Sequence, residues 1–179
     1  MSRGLVVVTG ATGFIGGELC ARLRKSGRPT LGLVRRINGK ALPDLQVLGD
    51  LRKTDEATLD EALGGAEAVV HLAGRTQLPK GRVGDPELAY QESNVDVTAK
   101  VASAAARAGV KRFILASTVK VMGEESEPGD PYTPDDMPDP QDAYARSKLA
   151  AARALEDAAA DSSMVPIVLR RPMVYGRHA

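Results

Sequence analysis

Leu5-Val6-Val7-Val8-Thr9-Gly10-Ala11-Thr12-Gly13-Phe14-Ile15-Gly16-Gly17 is the stretch that decides the fold. An apolar, mostly β-branched run ends in three glycines spaced three apart, and a helical pattern begins directly after them. Residues without side chains let a backbone come close to a pyrophosphate. The helix that follows aims its free N–H groups and the positive end of its dipole at the same spot. A strand, elbow and helix of this kind read as a dinucleotide site. The spacing of Gly10, Gly13 and Gly16 differs from the commoner G-x-G-x-x-G, and a bare glycine triplet also closes strand-to-helix turns that hold no ligand. The rest of the chain carries the weight.

Outward from that elbow, strand and helix patterns alternate. Strands are expected at Leu5–Thr9, Thr30–Val34, Leu45–Leu48, Ala68–Leu72, Arg112–Ser117 and Val165–Arg170. Helices are expected at Phe14–Ser26 with Gly27 as its stop, at Thr54–Leu63 closed by Gly64-Gly65, from Pro86 to about Ala108 after an Asp85 cap, and at Gln141–Ala160. Helices of this length between short apolar strands imply βαβ units and an α/β fold with a doubly wound parallel sheet. Right-handed crossovers place the ligand crevice beyond the C-terminal strand ends, so every strand end becomes a candidate contact.

The 179 residues suit a single domain with a real core. Hydrophobic content of 43% and charged content of 26% are ordinary for a globular chain. A net charge of +1 and the lack of a basic stripe argue against a nucleic-acid or membrane-surface partner. Two Phe, four Tyr and no Trp leave the core to aliphatic residues and alanine. No apolar run approaches a membrane span, and Leu5–Val8 is too short for a signal peptide. The single cysteine, Cys20, falls in the first helical pattern and reads as a small buried side chain, which suits a reducing, cytoplasmic compartment. No metal site is read. Between Lys120 and Arg146 there is no basic residue, but there are eight acids and five prolines. This segment is a solvated loop for the most part, and its place after strand five also makes it a lid or substrate-side wall.

Tyr144-Ala145-Arg146-Ser147-Lys148 opens the helix after that loop. Tyrosine and lysine four apart share one helical face. A phenol titrating near ~10 is a poor acid or base at neutral pH, and a nearby ammonium lowers that value. The pair therefore suits general acid/base work, although the same spacing also occurs on plain solvated helix faces. Ser117-Thr118 ends strand five, where a hydroxyl either meets a substrate oxygen or caps local backbone.

Six blocks together resemble a known family. They are T-G-A-T-G-F-I-G (9–16), G-D-L (49–51), H-L-A-G (71–74), S-T-V-K-V-M-G (117–123), Y-A-R-S-K (144–148) and R-R-P-M-V-Y-G (170–176). They resemble the extended short-chain dehydrogenase/reductases, and within these the NAD-dependent epimerase/dehydratase group acting on nucleotide sugars. The resemblance runs over essentially the whole chain, with the blocks in family order. It implies a Rossmann-type, three-layer α/β/α domain over residues 1–179. The family's C-terminal substrate domain would be largely missing, with cofactor binding but little turnover from these residues alone.

The resemblance also implies roles. Gly10, Gly13, Phe14, Ile15 and Gly16 would hold the pyrophosphate, while Asp50 and Leu51 would meet the adenine. Leu72, Ala73 and Gly74 would line the cofactor, and Asn94 takes the family's asparagine position. Thr118 would be the catalytic hydroxyl and Tyr144 the acid/base. Lys148 would bind the nicotinamide ribose and tune Tyr144, and Pro172 would border the nicotinamide. His71 would be structural, and His178 lies near the chain end. Family members often pair through the long helices, here Pro86–Ala108 and Gln141–Ala160, which implies a homodimer.

This chain departs from the family in places. NAD users carry an acid at the end of strand two, where this chain has Val34, Arg35 and Arg36. Two guanidiniums suit a 2′-phosphate, so Arg35 is read as a contact and NADP(H) as the favoured cofactor, the bland alternative being a solvated pair. The family's sugar dehydratases carry Asp-Glu after the catalytic threonine; here Val119 and Lys120 stand there, which argues against 4,6-dehydration. Met122 replaces a tyrosine at an apolar position. Three readings remain: a nucleotide-sugar epimerase, an NADP-dependent ketone, aldehyde or 4-keto-sugar reductase, and a non-catalytic NAD(P)-sensing module.

Overall fold

A computed structural model of the protein describes residues 4–37, 44–79, 84–126 and 128–176; His178 lies outside them. The apolar run before the elbow forms β1 (Leu5–Thr9), with Val7, Val8 and Thr9 fully buried. Helix α1 (Phe14–Lys25) follows, then β2 (Thr30–Val34), β3 (Leu45–Val47), α2 (Glu56–Leu63) and β4 (Ala66–His71). A long helical stretch comes next as α3 (Pro86–Tyr90), a π-helical segment (Gln91–Asp96) and α4 (Val97–Arg107). The chain continues through β5 (Arg112–Thr118), a 3₁₀ turn (Val119–Val121), α5 (Ala143–Ala159) and β6 (Val165–Arg171).

All six strands pair in parallel in the order β3-β2-β1-β4-β5-β6. This is the doubly wound Rossmann arrangement, with the order reversing at β1 beside β4. Alternation along the strands divides the core. Val7, Val69, Phe113 and Leu115 join Leu59, Leu63, Val101 and Leu155 from α2, α4 and α5 in one cluster. Val6 and Val8 turn the other way and meet Cys20 of α1 with Val34. Helices thus cover both faces of the sheet. Among the described residues, no helix is long and apolar enough to cross a membrane.

The expected elements are present with shifted ends. Ser26 caps α1 instead of closing it, and Asp55 caps α2 by accepting from the Thr58 amide at 2.8 Å, which starts that helix later than Thr54. Strand β4 begins at Ala66 and stops at His71, and β5 and β6 each run one residue further than expected. Asp142 caps α5, which therefore begins at Ala143 and not at Gln141. The largest correction concerns the continuous helix expected from Pro86 to Ala108. Its middle widens into the π segment, which places Asn94 against neighbouring chain segments as described below. The acidic loop after β5 is tied to the sheet end at Asp139, whose amide donates to Val121 O at 3.0 Å, and at Pro134, whose carbonyl accepts from Arg170 at 3.3 Å.

Candidate active site

The candidate groups gather at the C-terminal end of the sheet, after strands β1 to β6 and on the helices that follow, so the site is built outward from the elbow. Gly10 has φ +67°, a left-handed conformation that favours glycine. A Cβ there would lie 2.9 Å from the Ala73 amide nitrogen, so the elbow is pressed against the segment after β4. A Cβ on Gly16 would lie 2.2 Å from Gly10 O, which lets α1 start tight against the turn. The Gly13 amide donates to Gly10 O at 2.9 Å and closes the elbow. Thr9 braces the same junction: its Oγ1 accepts from the Leu72 and Ala73 amides at 3.2 and 3.1 Å and contacts His71 Nδ1 at 2.9 Å. With both amides donating to it, the hydroxyl donates to Nδ1. His71 then carries its proton on Nε2, an atom that is buried with no partner among the described residues. Burial, aided by the Lys148 charge, lowers His71 to about 3, so the ring is neutral.

A cleft of about 560 Å³ opens above the elbow. Of the residues expected to touch a cofactor, Gly10, Gly13, Arg35, Asp50, Leu51, Leu72, Ala73 and Gly74 line it. Gly16 is buried and packs the elbow from below; Ile15 is half-buried and Phe14 exposed, and neither lines the cleft. A Cβ on Gly176 would lie 3.4 Å from the Phe14 ring, so that ring joins the elbow to the chain after β6. Sequence reasoning missed Thr12, Arg52, Arg75 and Ser93 as lining residues. Arg52 matters most. Its guanidinium holds the Asp50 carboxylate at 2.6 Å and lowers that carboxyl to about 2. The Asp50 side chain expected at the adenine is therefore already engaged.

Tyr144, Lys148 and Thr118 lie outside that lining, further along the sheet end. Thr118 ends β5, and its Oγ1 accepts from the Lys120 amide at 3.3 Å. Lys120 donates to Asp142 at 2.7 Å, while Asp142 accepts from the Ala145 amide at 2.6 Å. One carboxylate thus ties the threonine's turn to the tyrosine's helix. Burial alone would raise the Asp142 carboxyl, but the hydrogen bonds from Lys120 and the Ala145 amide hold it below the usual range. The Tyr144 ring leans on Tyr90 of α3, centroids 5.8 Å apart.

Asn94 is 1% exposed and fully used. Its Oδ1 accepts from the Arg75 amide at 2.7 Å, and its Nδ2 donates to Arg75 O and Ser147 Oγ, both at 3.0 Å. Ser147 in turn donates to Tyr144 O at 2.7 Å. Asn94 acts as a strut between the cleft wall and α5, with both N–H groups and its carbonyl oxygen engaged by the protein.

Lys148 is 7% exposed and makes no hydrogen bond or ion pair among the described residues. Burial, with help from the Arg171 charge, lowers its ammonium to about 8. Tyr144 shifts the other way: burial pushes the phenol above its ordinary value, and the Arg171 charge opposes this while Tyr90 and Asp142 add to it. The cations acting on the phenol are Arg171 and Lys120, and they do not overcome its burial. Pro172 follows β6 and is exposed.

The model of the NAD dependent epimerase/dehydratase family matches residues 6–179. A UDP-glucose 4-epimerase of Vibrio cholerae is 35% identical over 172 residues, covering 96% of this chain and 52% of that protein. A 2-alkyl-3-oxoalkanoate reductase of Stenotrophomonas maltophilia is 31% identical over 181 residues, covering 96% and 51%. Among solved structures, MoeE5 in complex with UDP-glucuronic acid and NAD superposes with a TM-score of 0.79 at 34% identity, covering 93% of this chain and 54% of that one. The chain spans about half the length of the relatives it matches.

Proposed function

Because the chain belongs to the NAD-dependent epimerase/dehydratase family, we propose that residues 1–179 are its cofactor-binding domain and that the protein moves a hydride and a proton at a hydroxyl-bearing carbon of a nucleotide sugar. The observation that carries the reading is Lys148. A buried lysine side chain whose ammonium has no partner among the described residues, one turn from Tyr144 and on the same sheet end as the glycine elbow, is a donor suited to a ligand's oxygens. The fit to a dinucleotide is good on the protein's own terms. Without a Cβ, Gly10 and Gly16 let the elbow close against Ala73 and the start of α1, and the first turn of that helix would turn its amides to a pyrophosphate. Lys148 would donate to the ribose hydroxyls.

A bound nicotinamide would supply the hydride chemistry at the substrate carbon. Tyr144, with its pKa pushed up by burial, keeps its proton at neutral pH and gives it to the substrate oxygen. Thr118 orients that oxygen from the end of β5. Asp142 and Lys120 fix the distance between the two hydroxyl groups. A protonated phenol is the acid that a ketone needs in becoming an alcohol, and a reductase is the second reading. Stoichiometric loss of NADPH marks a reductase, and epimer formation without net loss marks an epimerase.

Arg35 and Arg36 line the cleft beyond β2, a position that suits a 2′-phosphate. Titration tests this. NADPH binds the protein at least tenfold more tightly than NADH, and the double change Arg35→Ala, Arg36→Ala removes the difference; equal affinities in the wild type refute the NADP(H) preference. Two chains would pair through the long helical stretches of residues 86–108 and 141–160; sedimentation as a dimer supports this and sedimentation as a monomer refutes it.

A further inference from the structure

At the end of β6 a guanidinium stands without a counter-charge. Arg171 pairs in register with Thr118 across β5 and β6, so the two side chains leave the sheet side by side on one face. Arg171 is half-buried, and its Nε is enclosed with no hydrogen-bond partner among the described residues. It makes no ion pair among them either. Its neighbours behave differently. Arg170 is held by the Pro134 carbonyl at 3.3 Å. Lys120, the other cation that acts on Tyr144, is neutralised by Asp142 at 2.7 Å and Glu124 at 3.1 Å. Arg171 and Lys148 are left facing each other's charge beside Tyr144.

Two like charges at a partly desolvated site are held at a cost unless an anion joins them. The phosphates of the cofactor are not that anion. Arg171 lies three strand spacings from β1, about 14 Å from the elbow that would take the pyrophosphate. It lies on the far side of Thr118, where the substrate would sit. Arginine's planar fork matches a carboxylate through two parallel N–H···O bonds.

Building on the proton transfer assigned to Tyr144, we propose that Arg171 reads a carboxylate on the substrate, carried close to the carbon whose oxygen meets Tyr144. The substrate class is then a hydroxy or oxo acid, either a nucleotide-linked sugar acid or an open-chain 3-oxo acid. The same charge would discriminate against neutral substrates of equal size, because a half-buried guanidinium would stay unpaired beside them.

Calorimetric titration of the NADPH-loaded protein with two matched pairs tests this: UDP-glucuronic acid against UDP-glucose, and 3-oxooctanoate against its methyl ester. In at least one pair the acid binds tenfold or more tightly than its neutral mate, and the pair that discriminates identifies the source of the carboxylate. Arg171→Gln brings that ratio close to one while NADPH affinity stays within twofold of wild type. Arg171→Lys, which keeps the charge and loses the fork, gives an intermediate ratio at the same NADPH affinity. The proposal is overturned by equal binding within both pairs, by a preference that survives in Arg171→Gln, or by an undiminished ratio in Arg171→Lys. Failure of the wild type to take up NADPH in the loading step instead refutes the dinucleotide reading on which it stands.

Discussion

Replacing Lys148 with methionine makes the ligand-free protein more stable. The side chain is 7% exposed and unpartnered, and its ammonium falls from 10.5 to about 8 on folding. That drop corresponds to about 3 kcal/mol of penalty for keeping the charged form in the folded state. Below pH 8 both folded and unfolded chains carry the proton, and the full penalty applies. Between pH 8 and 10.5 the unfolded chain binds more protons than the folded one, so this group makes stability rise with pH and the penalty disappear. Methionine has a similar length, no charge and enough flexibility to fill the space. The expected gain at pH 7 is therefore up to about 3 kcal/mol, or a rise in melting temperature of about 6–12 °C for a chain of this size. Urea unfolding followed by circular dichroism at pH 7, 8, 9 and 10 measures it. The rise across the upper window belongs to the difference between the two proteins, because the raised Tyr144 and Cys20 groups pull the other way in both. In the same variant NADPH binds about 10-fold or more weakly, since hydrogen bonds to a charged group contribute about 1.5–3 kcal/mol. A variant that is less stable at pH 7, or a difference that does not shrink from pH 8 to 10, refutes the reasoning.

His71 predicts an acid limb: its folded value near 3 lies below the free value of 6.5, so stability is full above pH 6.5 and falls as pH drops toward 3. The change His71→Gln flattens that limb in acid-unfolding curves, and an unchanged slope counts against the neutral buried ring. The two neighbouring glycines of α1 separate packing from propensity. Gly16→Ala forces a Cβ to within 2.2 Å of Gly10 O and costs about 1–3 kcal/mol together with most NADPH affinity, whereas Gly17→Ala, whose Cβ would lie 3.8 Å from Ala11 O, gains about 0.5–1 kcal/mol in thermal unfolding. Similar effects from the two substitutions contradict the tight elbow. Asp142→Ala removes the α5 cap and the partner of Lys120, and it lowers stability by about 1–2 kcal/mol in urea titrations; a neutral result removes Asp142 as the tie between Thr118 and Tyr144.

The strands and the elbow were legible because both are local. A β-branched run, three glycines and a helical period lie within residues 5–25, and strands buried on both faces read as unbroken apolar runs. What escaped was set by contacts distant in sequence. The π segment carries no periodic signature; Asn94 reaches Arg75 and Ser147 at the same time, and only the folded chain brings these together. The i, i+4 spacing rightly put Tyr144 and Lys148 a turn apart, but it could not show that Lys148 is buried and Tyr144 half-buried, or that the charge opposing burial at the phenol comes from β6. Arg170 and Arg171 look alike in sequence. The pleat sends one to the Pro134 carbonyl and the other to the side of Thr118. Asp50 was read as free for an adenine, yet Arg52, two residues on in the same turn, closes over its carboxylate.

The account rests on one convergence: the glycine elbow after β1 and the Tyr144–Lys148 turn of α5 serve opposite ends of a single bound nucleotide. A crystal structure of the protein grown with NADP⁺ measures it. The account predicts the pyrophosphate over Gly10 and Gly13, the ribose hydroxyls on Lys148 Nζ, and the nicotinamide beside the Tyr144 hydroxyl. A pyrophosphate bound elsewhere, or a nicotinamide on the α1 face with Lys148 still unpartnered, would contradict it.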